Sequence, residues 1–260
     1  MSELTIVRMK RYPIKGLSPE PLKTVNLSAG EGVPGDRLFG FARYNSGFDP
    51  TDPKPLPKDR FVVLLKEAGL AGLRTRFDAT TQQLEIDVDG RTHCFRMSEP
   101  QGKTDAARLL YDTLELQDPE PPRFVSSHPH RFTDVSVVSP KMMNAISVLN
   151  LSSIDALSRK LRTDIHPDRF RANIEIDGLP PFSELSSVGS TFVFGDVRLR
   201  ILSRTKRCAA TEVNPETALR DLNIPFSLRT HLGHMDMGVY VEVLDGGTLF
   251  AGQKGKYPQE

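Results

Sequence analysis

Turn signals cut this chain into short apolar runs before any of them grows into a long amphipathic stretch. Asp89-Gly90 separates Leu84–Val88 from Arg91–Met97, Gly195-Asp196 separates Thr191–Phe194 from Val197–Ser203, and Asp245-Gly246-Gly247 separates Gly238–Leu244 from Thr248–Ala251. Such dipeptides tolerate the positive φ of tight hairpin turns, and the flanking runs favour a pleated strand, so three hairpins are expected. Leu4–Arg11, Val25–Leu27, Leu38–Tyr44 and Asn173–Asp177 also read as strands. Helical spacing appears in Thr104–Leu116, where Ala107, Leu110, Tyr111 and Leu114 repeat, and in a segment capped by Ser152/Ser153 and running through Leu161. A short helix is expected over Pro215–Leu222. The 20 prolines and 19 glycines agree with many turns, and the expected fold is mainly β with helical additions, barrel-like rather than bundled.

Gln117–Arg123 holds three prolines and is the best boundary, which divides the chain into 1–122 and 123–260. Asn45 to Asp59 is rich in Pro, Asp and Gly with little apolar periodicity; it reads as an irregular surface loop able to cover a site. A net charge of +1 provides no long-range pull on nucleic acid or anionic lipid, so neither is an expected partner. Met1 to Lys10 lacks the apolar core of a signal peptide, and no later run is long enough to span a bilayer; a cytoplasmic protein without a membrane partner is expected. Two cysteines, Cys94 and Cys208, supply neither a disulfide framework nor four ligands, so no iron–sulfur cluster is expected in this chain.

Cys208 follows Arg204-Thr205-Lys206-Arg207 at the end of a hairpin strand. Positive charge beside the sulfur suits a nucleophile or a soft anionic metal ligand, and the same cations suit phosphate or an oxo-metal group. A small packed side chain with solvated neighbours is the commoner fate of a free cysteine, and local sequence does not separate the two. Lys15 and Arg37 sit at strand-end turns, and Arg169 and Arg171 just precede a strand; each is equally at home in solvent. The six histidines form no HExxH-like pair, and nothing selects His234 as a base for Cys208. Glycine patterns for nucleotide binding are lacking.

Taken in order, several motifs resemble those of the MOSC family, named for the C-terminal domain of molybdenum cofactor sulfurase, together with its N-terminal β-barrel partner domain. Tyr12-Pro13-Ile14-Lys15-Gly16 is similar to the family's Tyr-Pro-Ile-Lys opening, and Gly35-Asp36-Arg37 to its Gly-x-Asp-Arg turn. Phe132-Thr133-Asp134, Arg169-Phe170-Arg171-Ala172-Asn173-Ile174, Glu184, and Arg207-Cys208 with Thr211, Val213 and Pro215 follow in the family's order. Gly238-Val239-Tyr240 and the final glycine-rich hairpin complete the set. Three positions depart from the pattern: Ala172 stands for a proline, Gly252-Gln253 for Gly-Asp, and Ala218 for a common glycine.

The resemblance implies a MOSC-type β-barrel at 123–260 and an N-terminal β-barrel-like domain at 1–122. It also implies a molybdenum-pterin cofactor, with Cys208 as metal ligand and Lys15, Arg37, Arg171, Asn173, Lys206 and Arg207 holding the pterin and its phosphate. Asp134 becomes a carboxylate near the metal, and Glu184 a loop brace. Pyridoxal phosphate binding is an association of the family only. Amidoxime-reducing relatives imply an oxidoreductase that reduces N-hydroxylated or N-oxide small molecules, with electrons from a separate ferredoxin- or flavoprotein-type donor. The other reading is a sulfur or cofactor carrier with Cys208 as its persulfide-bearing thiolate.

Overall fold

The computed structural model describes residues 2–257 and begins with a ten-residue strand, β1 (Ser2–Arg11). Short strands β2 (Glu20–Leu22), β3 (Thr24–Leu27) and β4 (Phe39–Ala42) follow. Next come the meander β5 (Arg74–Asp78), β6 (Gln83–Val88) and β7 (Arg91–Arg96), helix α1 (Pro100–Thr113) and strand β8 (Arg123–Ser126). Beyond it lie α2 (Pro140–Met143), β9 (Ile146–Asn150), α3 (Leu151–Leu161), β10 (Ile174–Asp177), β11 (Thr191–Phe194) and β12 (Val197–Lys206). Helix α4 (Ile224–Leu232) and strands β13 (Asp236–Asp245), β14 (Gly247–Phe250) and β15 (Lys254–Tyr257) complete the described chain.

Seven strands close a barrel in the order β10-β9-β13-β12-β11-β15-β1, and β1 pairs back onto β10. β1 can close it because both of its edges are used: Ser2 to Thr5 pair with β15, Thr5 to Met9 pair with β10, and Met9 to Arg11 carry β2. β9 and β10 run parallel, which requires a crossover, and α3 supplies it. Pairing also links the two halves of the sequence through β3 with β14 and β4 with β8.

Alternation along the barrel strands decides which side chains fill it. Leu4 and Ile6, Ile146 and Val148, Ile174 and Ile176, Leu199 and Ile201, and Val239 and Val241 pack in one buried core. The residues between them, among them Ser147 and Tyr240, therefore face outwards, as the two-residue period of a strand demands. The outer face is covered at Leu149 by Leu157 of α3 and Leu228 of α4. A separate core joins Leu84 and Ile86 of the meander to Leu110 of α1. Phe48, Phe61 and Phe132 pack together beside it, with Phe61 edge-on to the other two rings.

The Asp89-Gly90 hairpin forms as expected, with φ positive at both residues (52° and 80°), and β11 and β12 pair around Gly195-Asp196. The expected closing hairpin does not form. β14 leaves β13 at Gly247 and pairs with β3, so the glycine turn redirects the chain instead of folding it back. Pro215–Leu222 is not a helix either. Asn214 Oδ1 accepts from the amides of Glu216 (2.9 Å) and Thr217 (3.4 Å), Ala218 turns left-handed at φ 57°, and Val213 bridges Arg220, so the turn closes after one loop. Ala218 thus adopts the conformation that glycine takes most easily. The cap of α3 is Asn150, not Ser152 or Ser153: its Oδ1 accepts from Ser152 N at 3.2 Å. Asn150 Nδ2 and Ser153 Oγ both donate to the buried Glu184 carboxylate at 3.0 Å, so Glu184 braces this corner.

Leu199 is fully buried in the barrel, and Leu199→Ala should lower stability by about 2–5 kcal/mol, read from the urea midpoint at unchanged slope.

Candidate functional site

A cavity of about 540 Å³ lies against the outer face of the barrel, where Ser147, Ser203 and Tyr240 occupy neighbouring strands. Backbone pairing brings the rest of its wall there. Arg37 N donates to Tyr12 O (2.7 Å), Phe39 N to Pro13 O (3.2 Å) and Lys15 N to Phe39 O (2.8 Å), so the two turns bearing Lys15 and Arg37 lie side by side. Phe132 N donates to Arg37 O at 2.7 Å and carries Asp134 to the same place. Gly16 permits the approach, since at φ 89° a Cβ would stand 2.5 Å from Val62 O. Asn173 enters by donating its amide to Ser147 O at 2.9 Å, and Arg207 by donating to Met235 O at 2.8 Å.

Tyr12 is the wedge of the assembly. The guanidinium groups of Arg171 (4.2 Å) and Arg37 (4.7 Å) both lie over its buried ring, and burial pushes its hydroxyl pKa far above the ordinary range. Both arginines have φ 51°, a conformation that surrounding contacts must hold. Arg37 Nη2 donates to Arg171 O (3.1 Å), and Arg171 Nη2 to Leu17 O (2.8 Å). Asp36 accepts at Oδ1 from Tyr12 N (2.7 Å) and Asn173 Nδ2 (3.0 Å), and pairs with Arg37 through Oδ2. Asn173 also donates to Lys10 O (3.2 Å) and accepts from Ser147 N (3.2 Å) and Ser147 Oγ (2.9 Å). Both hydrogens of its amide are engaged, which makes Asn173 a framework residue that sets the positions of Asp36 and Arg37.

Charge is concentrated where Cys208 opens into the cavity. Lys58 Nζ lies 3.1 Å from Cys208 Sγ and 3.6 Å from Asp134 Oδ2, and Lys15 donates to Asp134 and to Phe132 O. Burial pulls the Lys15 pKa down against the opposing pull of Asp134. Burial would lower Lys58 too, but Asp134 and Cys208 prevail and its pKa stands raised. Burial pushes the Asp134 carboxyl up, yet Lys15, Lys58 and Arg37 outweigh it and hold it well below the usual carboxylate range. Cys208 begins a 3₁₀ turn, Ala209–Glu212, in which Thr211 returns N–H and hydroxyl bonds to Cys208 O at 3.0 and 2.9 Å.

Arg207 is 8% exposed. Its Nε donates to Met237 O (2.7 Å) and its Nη1 to Phe170 O (3.0 Å), while Nη2 is buried with no protein partner. Thr205 Oγ1, also in the cavity wall, is likewise buried without one. Burial lowers the pKa of both Arg207 and Arg171. Among the described residues, eight lysines and arginines line the cavity against a single carboxylate, Asp134. These donors fit an anionic group. No group of three or more His, Cys, Asp or Glu side chains suited to a metal occurs among the described residues.

Lys15, Arg37, Asp134, Arg171, Asn173, Lys206, Arg207 and Cys208, all nominated from sequence, line this one cavity. They are not equivalent: Lys206 is exposed at the edge, Asn173 is saturated by the framework, and Arg207 alone among them has an orphaned buried donor atom. His234 accepts from Asp236 N at 3.1 Å and does not line the cavity. Sequence reasoning missed Lys58, Tyr12, Thr205 and Tyr240 as wall or wedge residues. Tyr12 and Tyr240 lay inside the quoted motifs; Lys58 had no motif and was foreshadowed only by the loop assigned to Asn45–Asp59.

The fold and its cation-lined cavity define a β-barrel protein with an anion-receptive site beside the Cys208 sulfur. The MOSC domain family matches residues 128–254, and the chain therefore contains a MOSC domain. Among solved structures, the chain is similar to the YuaD protein from Bacillus subtilis (14% identity, TM-score 0.46), with 99% of this chain and 97% of that one covered. It is also similar to YiiM from Geobacillus stearothermophilus (18% identity, TM-score 0.34) and to YiiM from Escherichia coli (16%, 0.32), each over 44% of this chain and 54% of the other. No curated protein matches the chain. No helix among the described residues is long and apolar enough to cross a membrane.

Asp134→Asn should destabilise the protein at neutral pH by about 1–3 kcal/mol, because it leaves the Lys15 ammonium buried with Phe132 O as its remaining partner. A depressed carboxyl pKa contributes stability that is present above the ordinary value of 3.8 and lost as pH falls through the folded value. Urea denaturation of variant and wild type should therefore converge as the pH is lowered below 3.8. A gap that stays constant into strong acid would contradict the charge pairing.

Proposed function

We propose that the cavity holds a molybdenum-pterin cofactor through Cys208, and that the loaded protein reduces N-hydroxylated or N-oxide compounds. MOSC domains are associated with the molybdenum cofactor, and that association extends to this chain at the level of the domain. One observation carries the cofactor reading: a soft sulfur ligand and a buried, unpartnered guanidinium nitrogen, Arg207 Nη2, occur in the wall of the same cavity.

The chain's own residues divide the work. Cys208 presents the sulfur on a rigid turn. Arg207 Nη2 and Thr205 Oγ1 offer buried donors to anionic oxygens, where a hydrogen bond counts for more than in water. Arg37 and Arg171, both held over the Tyr12 ring and bonded to backbone carbonyls, hold positive charge that needs little reorganisation on binding. Lys15 and Lys58 balance Asp134 and keep the region around the sulfur positive. Gly238 leaves room for the guanidinium of Arg207, since a Cβ there would stand 2.5 Å from Val148 O and 3.3 Å from Arg207 Nη2. When bound, the cofactor supplies the two-electron chemistry that N–O reduction requires. Two cysteines far apart in role, Cys94 exposed on β7 and Cys208 in the cavity, give no cluster of their own, so the electrons come from a separate ferredoxin- or flavoprotein-type donor.

Molybdenum and pterin content, measured after expression in a host that makes the cofactor, tests this reading. Wild type and Cys94→Ala should carry near-stoichiometric cofactor, and Cys208→Ala should lose it by about tenfold or more. Equal loading of Cys208→Ala would sink the ligand assignment. A folded wild type that stays free of cofactor despite verified supply would turn the assignment towards sulfur handling at Cys208.

A further inference from the structure

The cavity wall has a second character that the cations do not explain. Val135, Val138 and Met142 contribute to it from the segment that begins at Asp134, and Val63 and Leu65 join them. This segment is built rather than loose. Thr133 Oγ1 donates to Met143 O (3.2 Å), Ser136 Oγ donates to Thr133 O (2.8 Å), and Ser139 Oγ accepts from Met142 N (3.1 Å) to cap α2. Yet it leaves Val137 49% and Val138 68% exposed. A fixed apolar side chain at a cavity edge gains nothing from water; it gains by covering apolar surface on whatever enters.

The charged end and the apolar end are four residues apart on one loop, Asp134 beside Lys15 and Lys58, and Val138 at the rim. A second chamber of about 550 Å³ adjoins the first and shares Gly16, Leu64, Arg169, Arg171 and Ala210 with it. Room for the body of an anionic group therefore exists on the arginine side, away from the valines.

We propose that Val135, Val138 and Met142 form an apolar subsite that selects N-oxygenated substrates with an aryl or bulky alkyl body, whose polar N–O end is directed towards the Cys208 side. This rests on the reductase reading above. Asp134 and Val138 then set orientation between them, the one by excluding an apolar body from the charged end and the other by receiving it.

Benzamidoxime and acetamidoxime, which share the polar group and differ in the body, are the probes. Each is titrated calorimetrically, without reductant, into the wild-type protein and into Val138→Ser and Met142→Ala, and turnover and cofactor content are measured on the same preparations. Wild type should bind benzamidoxime on the order of 10-fold more tightly than acetamidoxime, and the variants should lose most of that preference through KM, with kcat and cofactor content kept. Val138→Ser changes an exposed residue, so the variant should fold as wild type does. No aryl preference in wild type, or a preference unchanged in both variants, overturns the subsite. Loss of cofactor from the variants also overturns it, because the valine wall would then belong to the pterin. Stoichiometric cofactor without turnover of either oxime defeats the reductase reading alone, and the calorimetric preference still decides whether the apolar wall selects the body.

Discussion

The Asn173 side chain ties together three pieces of backbone that are far apart in sequence. Its oxygen meets Ser147 on β9, and its nitrogen meets Lys10 on β1 and Asp36 in the glycine-rich turn. Asp36 in turn accepts from Tyr12 N, and both arginines lie over the Tyr12 ring. One saturated amide thereby fixes both the closure of the barrel near β1 and the position of the cations beside it. Buried polar networks of this kind are costly when half-made, since each lost partner strands another buried group. The site and the barrel seam consequently depend on the same side chain.

The position of the cavity follows from how the barrel is filled. Side chains from every strand of a narrow barrel meet along its axis, and here Leu4, Ile146, Ile176, Leu199 and Val241 occupy that space. A ligand site must then lie outside, and the outer face becomes a site only where other segments roof it. Some of those segments come from the first half of the sequence, which contributes Lys15, Gly16, Arg37, Lys58 and the Val63–Leu65 stretch; others, such as Thr133–Val135, Val138 and Arg169–Arg171, come from the second. Cys208 by itself would be a sulfur on an open turn. The wall of the cavity beside the MOSC match at 128–254 is thus completed by residues outside that range.

Local patterns made some of this legible. The Asp89-Gly90 hairpin follows from backbone conformation alone, and the periodic apolar face of α1 survives with its start shifted to Pro100. The closing glycines were misread because a turn dipeptide states that the chain bends, not which strand it will next pair with; β3, more than two hundred residues earlier, won that competition over β13. Pro215–Leu222 failed for a different reason, since Asn214 captures the amides that would begin a helix. At the site, the family motifs named residues that the fold gathers into one cavity, but not which of their hydrogen bonds the fold satisfies. That Asn173 is a brace and Arg207 an open donor depends on which hydrogen bonds the fold has already used, and no single sequence carries that count. Lys58 sits in an aperiodic loop, and only the third dimension brings it to Cys208.

The electrostatics of the cavity bear on stability as well as binding. Burial lowers the pKa of Lys15, Arg171 and Arg207, which means that the fold holds these charges against a desolvation cost. Asp134 offsets part of it at Lys15, but Arg207 is compensated by carbonyls and leaves one donor unmatched. An anion bound there supplies the missing charge and the missing acceptor together. It therefore binds the folded chain in preference to the unfolded one, and mass action converts that preference into stability that grows with the logarithm of ligand concentration. The same argument explains how a chain with a net charge of only +1 can retain an anionic group: the attraction is assembled locally from buried arginines and lysines, and does not depend on the overall field.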